Sequence, residues 1–326
     1  MPWRSRSLME ERLEFVVRAI AGNEDMSSLC QEFGVSRPTG YRWVSRYRST
    51  GDVRSLKNLS SRPHSSPGRT STELEEQVVS LRLRYGWGAR KLQVMLGKSG
   101  IELPIPTIHR ILKRQGLITK PEKGYSAHQR FERSASNELW QMDFKGDVPI
   151  TGGRCYPLSI LDDHSRYAVG LYALKRPGGV LVHSSLVKTF ERHGVPSGML
   201  MDHGTPWYST TNGHGLTWLT VALLKQGIHL TYSGIRHPQT QGKVERFHRT
   251  LKGTIAFHGT PHTLDGWESA LSVFQEEYNN IRPHEALQME PPSSRYHHSE
   301  RQYNPNPPEW EYPQGRLVKR LNSQGS

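Results

Sequence analysis

The chain has 326 residues and a formal net charge of +13, with 34% hydrophobic residues, 30 glycines and 21 prolines, which implies two or three modest cores joined by linkers. It has no apolar run of about 18 residues and no apolar stretch behind Met1-Pro2-Trp3-Arg4-Ser5-Arg6, so neither a membrane span nor a secretory signal is expected. Only Cys30 and Cys155 occur, without a CxxC pair; this argues against a disulfide framework and a cysteine-built zinc site and suits two buried thiols in a reducing cytoplasm.

The charge is uneven. Residues 1–134 hold 24 Lys and Arg against 13 Asp and Glu, whereas the remaining 192 hold 19 against 17. The N-terminal part is the basic arm, and a polyanion is its natural partner. Leu8, Leu13, Val16, Val17 and Ile20 recur at helical spacing over 8–21. A short helix is expected from Ser27 to Phe33, a break at Gly34, an N-cap at Ser36 and a third helix over Arg37–Arg48 with Pro38 in its first turn. That last helix carries Arg37, Thr39, Arg42 and Arg46. Three helices with a glycine turn and an arginine-rich third member read as a helix-turn-helix domain over 1–50, its third helix entering a major groove; an ordinary helical hairpin is the plainer reading.

Residues 51–71, rich in Ser, Pro, Gly and Arg, read as a basic linker. Thr72 and Glu75 have capping-box spacing and open a helix running to about Tyr85, which Gly86-Trp87-Gly88 ends. Helices over 89–98 and 106–115 follow, the last decorated by Arg110, Lys113 and Arg114. Residues 72–118 thus read as a second helix-turn-helix, and 119–136 as a linker.

From Asn137 the periodicity changes. Strands are expected near 138–147, 154–161 and 167–174, then a helix near 180–193 and a strand near 198–202. A helix near 215–226, a strand near 229–233, a long helix from about 239 and a helix over 264–280 complete the region. Hairpin-linked strands followed by alternating helix and strand mean a mixed sheet flanked by helices over 137–295. The tail, 296–326, is proline-rich, and its Trp310–Leu321 stretch is compatible with a small strand pair.

Three stretches carry chemistry. Glu138-Leu139-Trp140-Gln141-Met142-Asp143-Phe144 reads as a strand bearing an aspartate. Met199-Leu200-Met201-Asp202-His203-Gly204-Thr205-Pro206-Trp207 reads as a strand ending in Asp-His-Gly. In His237-Pro238-Gln239-Thr240-Gln241-Gly242-Lys243-Val244-Glu245-Arg246-Phe247-His248-Arg249-Thr250-Leu251-Lys252, a helix places Glu245, Arg249 and Lys252 on one face and Val244, Phe247 and Leu251 on a neighbouring apolar one. One carboxylate among cations suits metal binding beside a phosphate backbone; taken alone, a surface helix with ordinary ion pairs explains it as well.

In this order the three motifs closely resemble the DDE integrase and transposase superfamily, and more narrowly bacterial insertion-sequence transposases of the IS481 and IS3 type. The resemblance runs over nearly the whole chain. It implies a multidomain protein: all-α helix-turn-helix modules, an α/β RNase H-like catalytic core, and a small tail for which the family offers short β strands. It implies Asp143, Asp202 and Glu245 as catalytic carboxylates holding two Mg²⁺ or Mn²⁺ ions, which suit hard oxygen ligands, with Asp143 bridging. Lys243, Arg249 and Lys252 would join the helix-turn-helix residues as DNA contacts. The partners implied are double-stranded transposon ends and target DNA, with at least two protomers on DNA, no membrane and no zinc, in a bacterial cytoplasm near the nucleoid.

Other residues have competing explanations. The pair Asp162-Asp163 is the main rival to the three carboxylates, and a hairpin turn explains it, with a supporting role beside the site as the alternative. Trp207 suits either base stacking or core packing; His237 before a proline reads as structural. Two departures stand out: His203 replaces the asparagine common in relatives, and 42 residues separate Asp202 from Glu245, more than the superfamily commonly has, with 209–215 as the extra loop. The leading expectation is a transposase that binds its terminal inverted repeats and performs metal-dependent cleavage and strand transfer. The alternatives are a catalytically silent DNA-binding regulator derived from one, and a structure-specific nuclease on the same fold.

Overall fold

The computed structural model describes residues 7–60, 68–118, 132–210, 215–233, 242–309 and 315. The chain divides into two compact units, Met1–Arg69 and Thr70–Ser326. Among the described residues no helix is long and apolar enough to cross a membrane.

The first unit is built from α1 (Leu8–Ala21), α2 (Met26–Glu32) and α3 (Arg37–Thr50), followed by a 3₁₀ turn at Val53–Leu56. Local chemistry sets the starts. Ser7 and Glu10 form a reciprocal capping box on α1, and the Asp25 carboxylate accepts from Ser27 and Ser28 amides on α2. Ser36 stands at the N-cap of α3 as expected but does not cap with its side chain; its hydroxyl meets Thr39 Oγ1 at 2.9 Å. Phe15, Val16, Leu29, Cys30, Trp43, Val44 and Leu56 form the core. Gly40 lets α3 approach closely: a Cβ there would lie 2.7 Å from Cys30 Sγ and 2.8 Å from Phe15.

The second unit begins with α4 (Thr72–Tyr85), α5 (Ala89–Lys98) and α6 (Ile105–Arg114) around Val78, Trp87, Leu92, Leu96, Ile108 and Leu112. The cap of α4 falls at Ser71 rather than Thr72, so the expected Thr72–Glu75 box does not form; Glu75 is buried and pairs with Arg114 instead. These helices pack on the rest of the unit: Arg282 lies over the Trp87 ring at 5.5 Å, and a Cβ on Gly86 would sit 3.0 Å from the Phe257 ring.

The remainder is a mixed sheet between helical layers. Its strands are β1 (Trp140–Phe144), β2 (Val148–Ile150), β3 (Gly153–Asp162), β4 (Ala168–Leu174), β5 (Gly198–Met201) and β6 (His229–Tyr232). β3 pairs antiparallel with β1, β2 and β4, while β1–β5 and β5–β6 are parallel. The parallel joins need crossover helices, α7 (Gly179–His193) and α8 (Trp218–Lys225). These pack on one face against Trp140, Met142, Leu158, Ile160, Met199 and Met201. The other face is covered by α9 (Gly242–His258) and α10 (Leu264–Glu276), through Phe247, Leu251, Ile255, Trp267, Leu271 and Phe274.

Three details differ from expectation. β2 is a separate short strand where one long first strand was expected, because Gly146 and Gly152, both at positive φ, turn the chain around it. α10 ends at Glu276 and passes into a π turn at Glu277–Ile281, where the Asn279 amide pairs with the backbone N–H and carbonyl of Ala168. Residues 297–304 form an irregular strap on the core: Arg301 donates to the carbonyls of Pro196, Gln226 and Gly227, and Ser299 N to His193 O. Apart from Gly315, the strand pair considered for 310–321 lies outside the described residues, as do residues 119–131 of the expected 119–136 linker.

Candidate active site

Asp143 lies near the end of β1, opposite Ser159 in the register. Its carboxyl is pushed up to about 7, by burial first and then by the charges of Asp202 and Glu245, against a backbone hydrogen bond from Phe144. Like charges in a shielded place repel, which favours the protonated form of Asp143. His248 Nδ1 stands 3.9 Å from Asp143 Oδ2, and its Nε2 is 3.0 Å from Ser159 Oγ. Burial lowers the His248 imidazole to about 4, so at neutral pH this is a neutral polar contact rather than an ion pair.

Asp202 follows β5 directly. Its Oδ1 accepts from Gly204 N at 3.0 Å and from the Trp207 indole Nε1 at 2.6 Å. Glu245 is in the first turn of α9 and exposed, beside the buried stripe Val244, Phe247, Leu251 and Ile255. The charges of Asp202, at a strand end, and Glu245, on a helix, therefore both bear on Asp143 on its strand. The three carboxylates are not drawn into a cage: among the described residues no three His, Cys, Asp or Glu side chains stand close enough to hold a metal ion. The three side chains offer only hard carboxylate oxygens, the ligand type that suits Mg²⁺ or Mn²⁺.

The rival pair is accounted for. Asp162 accepts from Asn137 N, Ser165 N and Ser165 Oγ, which makes it the organiser of the β3–β4 turn. Asp163 is fully buried and accepts from Gln141 Nε2 at 2.7 Å and Arg133 N at 2.8 Å. Its Oδ2 is also 2.6 Å from Lys243 Nζ, whose side chain is 11% exposed. Lys243 therefore points inward and ties the start of α9, two residues before Glu245, to the sheet. Burial pushes its ammonium down, against the hydrogen bond it donates to Asp163.

The remaining expected DNA contacts are placed variously. Arg249 and Lys252 are exposed on α9. Arg37 and Arg42 are exposed on α3, while Thr39 bonds Ser36 and Arg46 donates to Lys57 O and lies over Trp43 at 4.7 Å. Arg110 and Lys113 are exposed on α6, and Arg114 holds Glu75 at 2.6 Å. His237 lies outside the described residues. Trp207 is 1% exposed and stacked on Phe144, which removes base stacking as its role. The extra loop closes on a bridge between Ser209 and Gly215.

Two neighbours of the site carried no role in the sequence reading. His248 was visible only as part of the third motif. Lys145 directly follows β1, two residues after Asp143; its ammonium is pushed down by burial and then by Lys252.

Comparison with known proteins agrees with this architecture. Two integrase core domain models match residues 133–238 and 226–292, a helix-turn-helix domain matches 11–64, and a homeodomain-like domain matches 39–112. The chain is 23% identical over 230 residues to the insertion element IS407 31.7 kDa protein of Burkholderia multivorans, covering 67% of this chain and 80% of that one. It is 23% identical over 317 residues to the transposase for transposon Tn552 of Staphylococcus aureus, covering 83% of this chain and 63% of the relative. Among solved structures, the HTLV-2 integrase catalytic core in complex with magnesium is similar over 50% of this chain and 99% of that one, at 14% identity and a TM-score of 0.40.

Proposed function

Because the chain belongs to the insertion-sequence transposases that carry an integrase core, we propose that it binds the terminal inverted repeats of its element and catalyses DNA cleavage and strand transfer. The observation that carries this reading is the placement of the three carboxylates, with Asp143 on β1, Asp202 directly after β5 and Glu245 in the first turn of α9. Asp143, Asp202 and Glu245 would hold two divalent ions, Mg²⁺ or Mn²⁺, which when bound neutralise phosphate charge and align an in-line displacement.

The reaction balances without a covalent protein intermediate. A water oxygen bonds to the phosphorus at the element's end as the P–O3′ bond breaks, leaving a free 3′-OH and a 5′-phosphate. The 3′ oxygen then bonds to a target phosphorus, loses its proton, and displaces a target O3′. Arg249, Lys252 and Lys145 are disposed to hold the phosphate backbone beside these steps, whereas Lys243 anchors α9. Arg37 and Arg42 of the first helical unit and Arg110 and Lys113 of the second supply contacts to the duplex end. Joining two ends requires at least two protomers.

The test is incubation of the full chain with labelled terminal-repeat duplex and Mn²⁺. The wild type is expected to release a 3′-OH at the element boundary and Asp143→Asn to release none while still shifting the duplex. Binding without cleavage by either protein would instead identify a DNA-binding regulator.

A further inference from the structure

We infer that Trp207 is a positioning residue for Asp202, its indole N–H fixing the carboxylate in the orientation in which it meets a divalent ion. This deepens the proposed reaction and rests on Asp202 being a metal ligand. The residue lies five positions after Asp202, in a turn that folds back under the strand end. Its Nε1 donates to Asp202 Oδ1 at 2.6 Å, and Gly204 N donates to the same oxygen at 3.0 Å. A Cβ at Gly204 would sit 3.0 Å from both Asp202 oxygens and crowd the carboxylate. Hydrogen bonds to an ionised acceptor are about twice as strong as neutral ones. With two donors converging on Oδ1, the plane of the carboxylate is set and Oδ2 is presented to a cation.

The indole is itself held. Its ring stacks on Phe144 with centroids 5.4 Å apart and planes 14° apart, and Tyr232 Oη donates to its carbonyl at 3.2 Å. Phe144 directly follows Asp143. One buried ring thus links the strand carrying the first carboxylate to the oxygen of the second, and spaces the two. Simple packing would not require the N–H. Trp267 shows this within the same unit: it is 2% exposed, and its Nε1 has no hydrogen-bond partner among the described residues.

The experiment measures Mn²⁺ binding to the full chain by calorimetry and electron paramagnetic resonance, beside the Mn²⁺ midpoint for DNA joining. The proteins compared are wild type, Trp207→Phe, Trp267→Phe and Glu245→Gln. Losing a partner that orients a metal ligand typically weakens metal affinity 10–100-fold. Trp207→Phe is expected to bind Mn²⁺ at least about tenfold more weakly and to need correspondingly more Mn²⁺ for joining, with the maximal rate largely recovered at saturation. Trp267→Phe is expected to match wild type in both. Wild-type Mn²⁺ affinity and midpoint in a folded Trp207→Phe protein would overturn the positioning role alone. Mn²⁺ binding indifferent to Glu245→Gln would overturn the three-carboxylate reading and this inference with it. Should Trp207→Phe fail to fold, benzothienylalanine at 207, which keeps the ring shape and lacks the N–H, decides between the same two outcomes.

Discussion

At the scale of single residues, the buried ion pair of Lys243 with Asp163 invites the sharpest stability prediction. Asp163 is fully buried, so removing its cation leaves a charge without its partner. Lys243→Met should lower the unfolding free energy by about 3–5 kcal/mol, read from denaturant melts, and adding Asp163→Asn should recover part of that loss. A loss no greater than that of an exposed lysine would mean the pair is not formed. Sequence alone could not place Lys243 inward, because its neighbours Arg246, Arg249 and Lys252 make every cation in the motif look alike. What singles it out is a carboxylate 80 residues earlier in a turn, and only the tertiary fold brings them together.

A second prediction at this scale concerns pH. Burial first, then His298 and Arg192, lower the His193 imidazole to about 4, so the native protein keeps it neutral. In the unfolded chain it takes a proton near pH 6.5. Below that value the unfolded state binds more protons, so stability is complete above about pH 6.5 and falls on acidification until about pH 4. Between those limits the histidine contributes about 1.4 kcal/mol of loss per pH unit. His284, lowered to about 3 by burial and by Lys91 and Arg282, acts in the same direction. In melts at stepped pH, His193→Phe should show a visibly shallower decline between pH 6.5 and 4; an unchanged slope would refute the assignment.

At the scale of elements, α9 combines two functions on separate faces. Phe247 is buried against Phe274 and Tyr278, so Phe247→Ala should cost about 3–5 kcal/mol of stability. Arg249→Ala should leave stability within about 0.5 kcal/mol, yet weaken duplex binding and reduce its salt slope by about 1; circular dichroism melts and a salt series of binding isotherms separate the two. In the first unit, Gly40→Ala should destabilise α3 by about 1–3 kcal/mol through overpacking against Cys30 and Phe15. The apolar stripe of α9 and the bounds of α1 were legible because helical periodicity and capping are local signals. The start of α4 slipped by one residue because Ser71 and Thr72 compete as caps. The π turn after α10 was not legible, since it depends on Asn279 reaching the backbone of Ala168, 111 residues away. The strap at 297–304 was hidden for the same reason: irregular backbone pinned by Arg301 leaves no periodic trace.

At the scale of the whole molecule, the charge distribution and the site belong to one account. A net charge of +13, concentrated before residue 134, draws the chain to DNA by a sequence-independent force that falls steeply with salt. On the proposed reading, the three carboxylates would repel phosphate by themselves, and divalent cations held by them would offset that repulsion. The proposed role of these three carboxylates in strand transfer is tested most directly by joining of labelled terminal-repeat DNA to a target in Mg²⁺ or Mn²⁺ by wild type and Glu245→Gln. The account predicts metal-dependent joining by the wild type and a loss of at least about a thousandfold (about 4 kcal/mol) in the variant, with end binding retained. Joining that survives in Glu245→Gln, or that proceeds without divalent metal, would contradict it.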